Sequence, residues 1–396
     1  MYKLILRRTG VHPFLISSAP GRADFLNTHQ DYKGLPVVPI GVNLRTYMLA
    51  TRILPRRFRI ISLDLEGQRT NYVDEFDLNG LVLERGAWFG NYLRGVLMAL
   101  QAFTGKTFDD GLEVLIKSDV PIAGGLASSA ALEVAFATLL NSYYDLRLSC
   151  KDLAEQCFIS ENRILGIPCG RLDQYGSSYG KAILLKTRPP VDVELLPLED
   201  IDIVTADSGI RHSTADIHPR RQEDINRGLK KLMDSPDVPG ILKERLGYRF
   251  DEPKWEGINE QEVAPYLKQL DKTAANRILY TLRAHASTMQ ALKLIKSGQV
   301  KTELEKMGEI MNEQHIMMRD MYDLSLPQLE GIRNAMIKDG AFGVKISGAG
   351  LGGCLIGLVK DPYSGDKVLK AALKAGALRG WVLKVDRGAV IESQGG

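Results

Sequence analysis

The sequence predicts a mixed α/β chain of two domains, and three observations carry that reading. The chain has 396 residues, which at about 150 residues per domain leaves room for two or three cores. Segments with strand and helix patterning interleave in both halves. A Pro189-Pro190 pair interrupts that pattern, so a boundary is expected near residues 187 to 200.

Taken in order, the first 80 residues read as strands and turns. Thr46 to Ile53 and Arg57 to Leu63 are rich in β-formers, with Pro55 between them. Tyr92 to Phe103 repeats apolar residues at helical spacing, and Leu112 to Ile116 is a short apolar strand. After the turn Ser118 to Gly125 comes Ser128 to Tyr144, long, rich in Ala and Leu, and helical. Lys151 to Leu165 reads as a second helix and Lys181 to Lys186 as a strand. The second half predicts a strand near Ile201 to Thr205 and a basic helix from Arg220. Helices follow over Ala274 to Ser297 and Lys301 to Tyr322. Val344 to Ile346 and Leu355 to Val359 are apolar strands around a glycine loop. The cleft between two such domains is a favoured place for a ligand.

Composition narrows the function. Lys and Arg number 51 against 48 Asp and Glu, a formal +3 that is too small to drive nucleic-acid binding by bulk charge. No stretch reaches 18 uninterrupted apolar residues, so no membrane helix is expected. The start, MYKLILRRTGVHPF, lacks the apolar stretch and cleavage site of a signal peptide, so a cytoplasmic protein is expected. Cys150, Cys157, Cys169 and Cys354 form no CxxC pair, which argues against a zinc cage or disulfide framework; small core residues are expected.

Three segments carry chemistry. In Pro121 to Ala131, Gly124-Gly125-Leu126-Ala127 leads into Ser128-Ser129 and a helix. Glycines let backbone approach a ligand closely, and a helix start offers unpaired N–H groups, so the pair makes an anion site of the kind phosphate occupies. Ser128 and Ser129 can cap that helix, or offer a hydroxyl to a phosphate or a magnesium ion. Lys345 to Cys354 places four glycines in six positions between two strands, more than a plain hairpin needs. It is neither a dinucleotide fingerprint nor a Walker A loop. The third segment, Ala19 to Gly34, packs Arg22, Asp24, Asn27, Thr28, His29 and Asp31 into ten positions. Such a mixture of donors and acceptors suits sugar hydroxyls, although composition alone reads it as a polar surface loop turning at Lys33-Gly34.

Together the three segments resemble the motifs of the GHMP kinases, and specifically the galactokinase branch. The first family signature, roughly GRxNxIGEHxDYxxG, is matched by Gly21-Arg22 through His29, Asp31, Tyr32 and Gly34. The Gly124 to Ala131 and Gly348 to Gly353 loops match the second and third. Further likenesses are Trp88 to Gly95, the stretch from Glu161 to Asp173-Gln174, and Ser208 to Ser213 with Arg220-Arg221. They run in the family's order from about residue 19 to 359.

The resemblance implies an α+β, two-domain GHMP kinase fold. Its N-terminal domain, residues 1–195, would be like the second domain of ribosomal protein S5; its C-terminal domain, residues 196–396, would be ferredoxin-like. It implies ATP-dependent phosphorylation of a sugar's anomeric hydroxyl, with magnesium (Mg2+). The loop Gly124, Gly125, Leu126, Ala127, Ser128 and Ser129 would cradle the ATP phosphates. Ser129 and Glu161 match the magnesium ligands, Asp173 the catalytic base, and Arg22 the cation beside it. Trp88, or Tyr92, would line the adenine pocket; His29, Asp31, Gly170 and Asp173 match sugar contacts. The partners expected are a small sugar and ATP, with no nucleic acid or membrane, in a monomer or weak homodimer.

One departure bears on the sugar. Thr28 stands where galactokinases carry a Glu that accepts from the sugar 6-OH, and Asn27 replaces the usual Gly. Losing that carboxylate removes a repulsion from a sugar acid, and Arg171, His212, His218, Arg220 and Arg221 are candidate cations. Galactose is expected, with galacturonate as the alternative. A silent galactose sensor ranks lower, because Ser128 to Ala131, Arg22, Glu161 and Asp173 are intact. A mevalonate or homoserine kinase ranks low too, because His29-Gln30-Asp31-Tyr32 is foreign to those branches.

Overall fold

The computed structural model describes residues 12–66, 71–86, 88–211 and 214–394. Its strands are β1 (Leu15–Leu26), β2 (Val38–Pro55), β3 (Arg57–Ser62), β4 (Val73–Asp77), β5 (Asp110–Ser118), β6 (Ala182–Lys186) and β7 (Asp192–Leu196) in the first half. β8 (Asp202–Asp207), β9 (Gly343–Ser347), β10 (Cys354–Val359), β11 (Arg379–Lys384) and β12 (Val390–Gln394) follow. The helices that matter below are α1 (Gly90–Thr104), α2 (Ser128–Tyr143), α3 (Cys150–Ile159), α4 (Leu172–Tyr179), α5 (Thr214–Asp234), α6 (Lys272–Lys296), α7 (Leu304–Tyr322), α8 (Pro327–Lys338) and α9 (Pro362–Lys374).

Two sheets organise the chain. The first runs β12-β1-β2-β5-β3-β4, with β6 pairing to β2 and β7 to β6. The second is a four-stranded antiparallel sheet, β11-β8-β10-β9. The last strand, β12, returns to the first sheet and pairs with β1. Arg45 fastens that return from a buried position, donating to the carbonyls of Arg387 and Gly388 and to Asp386.

The two sheets share apolar contacts. Phe25, Val38 and Ile40 of the first pack in one cluster with Ile295, Met311 and Ile356 of the second half. A larger cluster around Trp255, Tyr322 and Ile332 fills the second half. Among the described residues no helix is long and apolar enough to cross a membrane. Cys157 and Cys354 are buried as expected of core residues, whereas Cys169 is half-buried and Cys150 is exposed.

Most strand and helix expectations hold within a few residues, and the exceptions have physical causes. The polar run after Ala19 is not a surface loop: β1 is buried along its whole length through Leu26. Most of its polar side chains bond to distant segments, as Arg22 does to Asp173, which composition does not reveal. The expected helix from Lys151 to Leu165 is α only to Ile159, then widens into a π turn over Ser160–Ile164. Such turns re-aim side chains and recur at functional sites. The basic helix begins before Arg220, at Thr214, and carries Pro219 inside it. Helices α8 and α9 went unread, although each starts with proline and Asp361 caps α9 by accepting from Ser364 N–H.

Candidate active site

A cavity of about 700 Å³ opens where the glycine loops meet. Arg22, Gly125, Ser129, Glu161 and Asp173 all line it, as do Trp88 and Tyr92. Residues more than a hundred positions apart therefore converge on one volume.

The loop before α2 is built on alternating left-handed residues: Ala123 (φ 51), Gly125 (φ 78) and Ala127 (φ 56). Ala127 is the N-cap, and no side chain caps the helix, so neither Ser128 nor Ser129 serves as the cap. Uncapped N–H groups at the positive end of a helix dipole suit a phosphate. Leu126 points into the core, fully buried, and its carbonyl accepts the Arg22 N–H. It is not among the cavity-lining residues, whereas its neighbours from Gly124 to Ser129 are.

Arg22 and Asp173 form the centre. Arg22 lies on β1, and Asp173 is in the first turn of α4, whose N-cap is Arg171, so Asp173 is not a cap. Arg22 Nε and Nη2 both donate to Asp173 Oδ1, at 2.9 and 2.6 Å. Its Nη1 donates to the Gly125 carbonyl at 2.8 Å, tying the pair to the phosphate loop. Burial works against the Arg22 charge, but Asp173, Asp24 and Asp31 together outweigh it and hold the guanidinium above its ordinary range. Asp173 Oδ2 has no hydrogen-bond partner among the described residues, and the side chain remains 31% exposed in the cavity. One oxygen is anchored and the other is open.

Glu161 comes from the π turn. Its Oε1 accepts from Ser129 Oγ at 3.4 Å and its Oε2 from Gln174 Nε2 at 2.6 Å. Burial, reinforced by the Asp173 charge, pushes its carboxyl up to about 7. Glu133, fully buried behind it, is pushed well above the usual range by burial and by Glu161.

The sugar-side residues divide. Asp31 Oδ2 accepts the Leu172 N–H at 3.2 Å and lies against Gly170. Burial pushes the Asp31 carboxyl above its ordinary value, and the Asp173 charge adds to that. Thr28 is 1% exposed; its hydroxyl accepts from Lys345 Nζ at 2.8 Å and its carbonyl from Tyr280. His29 is 4% exposed, with both ring nitrogens in hydrogen-bond contact with Tyr32 and Ala349. None of Thr28, His29, Asp31 and Gly170 is among the lining residues. Asn27 adopts φ 65, a left-handed turn that Gly makes without strain and Asn tolerates best among the others.

The expected cations are mostly engaged. Arg171 is paired with Glu155, and Arg221 donates to the Asp323 carbonyl. His218 Nδ1 contacts the Pro168 carbonyl, Arg220 is exposed, and His212 lies outside the described residues. Lys345 is the cation beside Thr28, and sequence reading missed it. Burial lowers its ammonium to about 8, against the pull of Asp24. Asp24 was counted among the polar groups of the third segment but given no role of its own. It stands two residues after Arg22, on the same face of β1, where the family motif has Asn; that alternation was the available signal. Its Oδ1 is buried without a partner, and burial pushes its carboxyl up. Glu133, a lone acid in an Ala/Leu helix four residues after Ser129, was legible in the same way.

Trp88 also lines the cavity, and its indole Nε1 is buried without a partner. Asn91 fastens the adjoining loop by bonding the N–H and carbonyl of Glu84.

Residues 91–181 match the GHMP kinases N terminal domain, residues 291–378 the GHMP kinases C terminal domain, and residues 7–52 the galactokinase galactose-binding signature. A galactokinase of Roseiflexus sp. (strain RS-1) is 30% identical over 357 residues, covering 89% of this chain and 85% of that protein. The structure of Lactococcus lactis galactokinase complexed with galactose superposes with a TM-score of 0.80 at 24% identity, covering 98% of both chains. A homoserine kinase from Cytophaga hutchinsonii has a TM-score of 0.60 at 16% identity over 95% of this chain and 96% of its own.

Proposed function

Since this chain belongs to the galactokinase branch of the GHMP kinases, and is a phosphotransferase acting on a sugar hydroxyl, we propose that it transfers the γ-phosphate of ATP to the anomeric hydroxyl of galactose. The observation that carries the reading is the open Asp173 Oδ2 in the cavity that the uncapped α2 start also lines. Phosphoryl transfer asks mainly for positioning and charge stabilisation. Asp173 Oδ2 accepts the proton of the sugar 1-OH, while Arg22 fixes Oδ1. Backbone N–H groups from Gly124 to Ser129 hold the phosphates, and Asp31 beside Gly170 orients ring hydroxyls. Trp88, with its unpartnered indole N–H, faces the base.

The donor set fits magnesium. The Ser129 hydroxyl and Glu161 carboxylate are oxygen ligands within 3.4 Å of one another on the cavity wall, and magnesium takes few protein oxygens beside phosphate and water. Bound there, the ion supplies charge neutralisation for the phosphates. Gln174 holds the other oxygen of Glu161 in place.

Galacturonate is the less favoured substrate. Arg171 and Arg221, two of the cations it would need, are engaged elsewhere. The relative that is 30% identical over 89% of this chain is a galactokinase. The test is ADP release over galactose, N-acetylgalactosamine, arabinose, galacturonate and glucuronate, with the phosphorylated carbon identified. Galactose is expected to turn over fastest and to be phosphorylated at C1. Asp173→Ala is expected to lower kcat by about a hundredfold or more while ATP affinity stays within about twofold. Near-normal turnover in that variant would remove Asp173 from its role.

A further inference from the structure

Asp24 is a buried carboxyl that the phosphoryl transfer does not employ. It stands two residues after Arg22 on β1, in a regular antiparallel run that sets Arg22 opposite Gly41 and Asp24 opposite Pro39. Alternate residues of a strand share a face, so Asp24 points to the side of Arg22, about 7 Å further along. Its backbone is engaged at both ends. The Asp24 N–H donates to Ser347 Oγ at 3.0 Å, and its carbonyl accepts from Lys345 Nζ at 2.6 Å. Ser347 lines the cavity, and its hydroxyl donates to the Gly125 carbonyl at 3.0 Å. The side chain differs. Asp24 is 3% exposed, and its Oδ1 has no hydrogen-bond partner among the described residues.

The charges around that carboxyl say where it lies. Burial, the largest influence, raises its pKa; Lys345 and Arg22 draw it down, and Asp31 and Asp173 add to burial. His218 of α5 feels both Asp173 and Asp24, so the two carboxyls lie to one side of that ring. Asp24 therefore sits between Asp173, which meets the acceptor hydroxyl, and Asp31, on the sugar side. A buried carboxylate oxygen without a donor is costly, and the folded chain supplies it none. A sugar hydroxyl is such a donor. Both neighbouring cations are engaged, Arg22 with Asp173 and the Gly125 carbonyl, Lys345 with the Thr28 hydroxyl and the Asp24 carbonyl. Three carboxyls beside two engaged cations suit a neutral ligand and oppose a further carboxylate.

We propose that Asp24 is a sugar-binding residue, whose carboxyl accepts a hydrogen bond from a hydroxyl of the bound sugar and selects neutral sugars over sugar acids. This rests on the sugar-kinase reading and deepens it.

The experiment measures kcat and KM for galactose and ATP in the full chain and in Asp24→Ala and Asp24→Asn. Galacturonate is tested beside them, as substrate and as competitive inhibitor of galactose turnover. Turnover of galactose by the unaltered chain checks the sugar-kinase reading separately; if it is absent, that reading falls and the proposal with it. Asp24→Ala is expected to raise the galactose KM about tenfold, the loss of one buried hydrogen bond, with the ATP KM within about twofold. Asp24→Asn keeps an acceptor oxygen without the charge. It is expected to recover most of the galactose KM and to strengthen galacturonate binding relative to galactose about tenfold. A galactose KM unmoved in Asp24→Ala, or equal rises in both KM values, overturns the sugar contact. An unchanged ratio of galacturonate to galactose binding in Asp24→Asn overturns the selection of neutral sugars. Melting temperatures identify a variant that fails to fold; where Asp24→Ala does so, Asp24→Asn decides through that ratio.

Discussion

Gly170 has no side chain because Asp31 occupies the place one would take. A Cβ there would lie 1.8 Å from Asp31 Oδ2, well inside contact distance. Gly170→Ala must therefore push the Asp31 carboxylate away from the Leu172 N–H that it accepts. The expected outcome is a galactose KM raised about tenfold or more with the ATP KM nearly unchanged, measured by steady-state kinetics. An unchanged galactose KM would remove Asp31 from the sugar side. Single residues were legible through the family resemblance, which named Arg22, Glu161 and Asp173, and these three line one cavity. The structure instead turns Thr28 toward Lys345 and His29 toward Ala349. A hydroxyl or an imidazole suits a ligand and a buried backbone group equally well, so residue type alone could not decide between them.

At the scale of elements, the two glycine loops act as one unit. Gly125 sits at φ 78, and a Cβ there would come 2.6 Å from the Ser347 carbonyl oxygen of the facing strand end. Gly125→Ala meets both a steric clash and a left-handed backbone that costs a residue with a Cβ about 1–2 kcal/mol. The loops should separate, and kcat/KM for ATP is expected to fall by tenfold or more while the galactose KM changes less. Equal kinetics would show that the contact is slack. Glycine spacing and the Ser-Ser helix start made the phosphate loop readable. The π turn that delivers Glu161 was not readable, because it differs from an α-helix by one hydrogen-bond step and leaves the apolar spacing almost intact.

At the scale of the whole molecule, stability couples to pH through His315. This side chain of α7 is fully buried, with Nε2 2.7 Å from Glu330 Oε1 and Nδ1 without a partner. Burial, then the Arg333 charge, lowers its pKa to about 4 from the model-compound value of 6.5, against the pull of Glu330. The unfolded chain therefore binds a proton below pH 6.5 that the folded chain refuses until about pH 4. Stability is complete above the upper value and falls as pH drops through that window, by about 3 kcal/mol in all. His315→Gln, which keeps a donor for Glu330 without titrating, is expected to flatten that fall. Melting curves from pH 7 to 4.5 check it, and an unchanged slope in the variant would assign the loss to other groups.

What the sequence by itself determined is the order of most strands and helices and the two glycine loops, and its family resemblance picked out Arg22, Glu161 and Asp173, which line one cavity. These are local matters, since periodicity, glycine and motif spacing act within a few residues. Only the tertiary structure decided that β1 is buried throughout, that β12 comes back to pair with it, and that Asp24 and Lys345 face one another inside. It also decided which hydrogen-bonding groups remain open, Asp173 Oδ2 among them, and which are satisfied inside the protein. The physical reason is that a polar side chain is available to a ligand only if no distant segment has already met its hydrogen bonds. Those distant segments come together only in the folded chain.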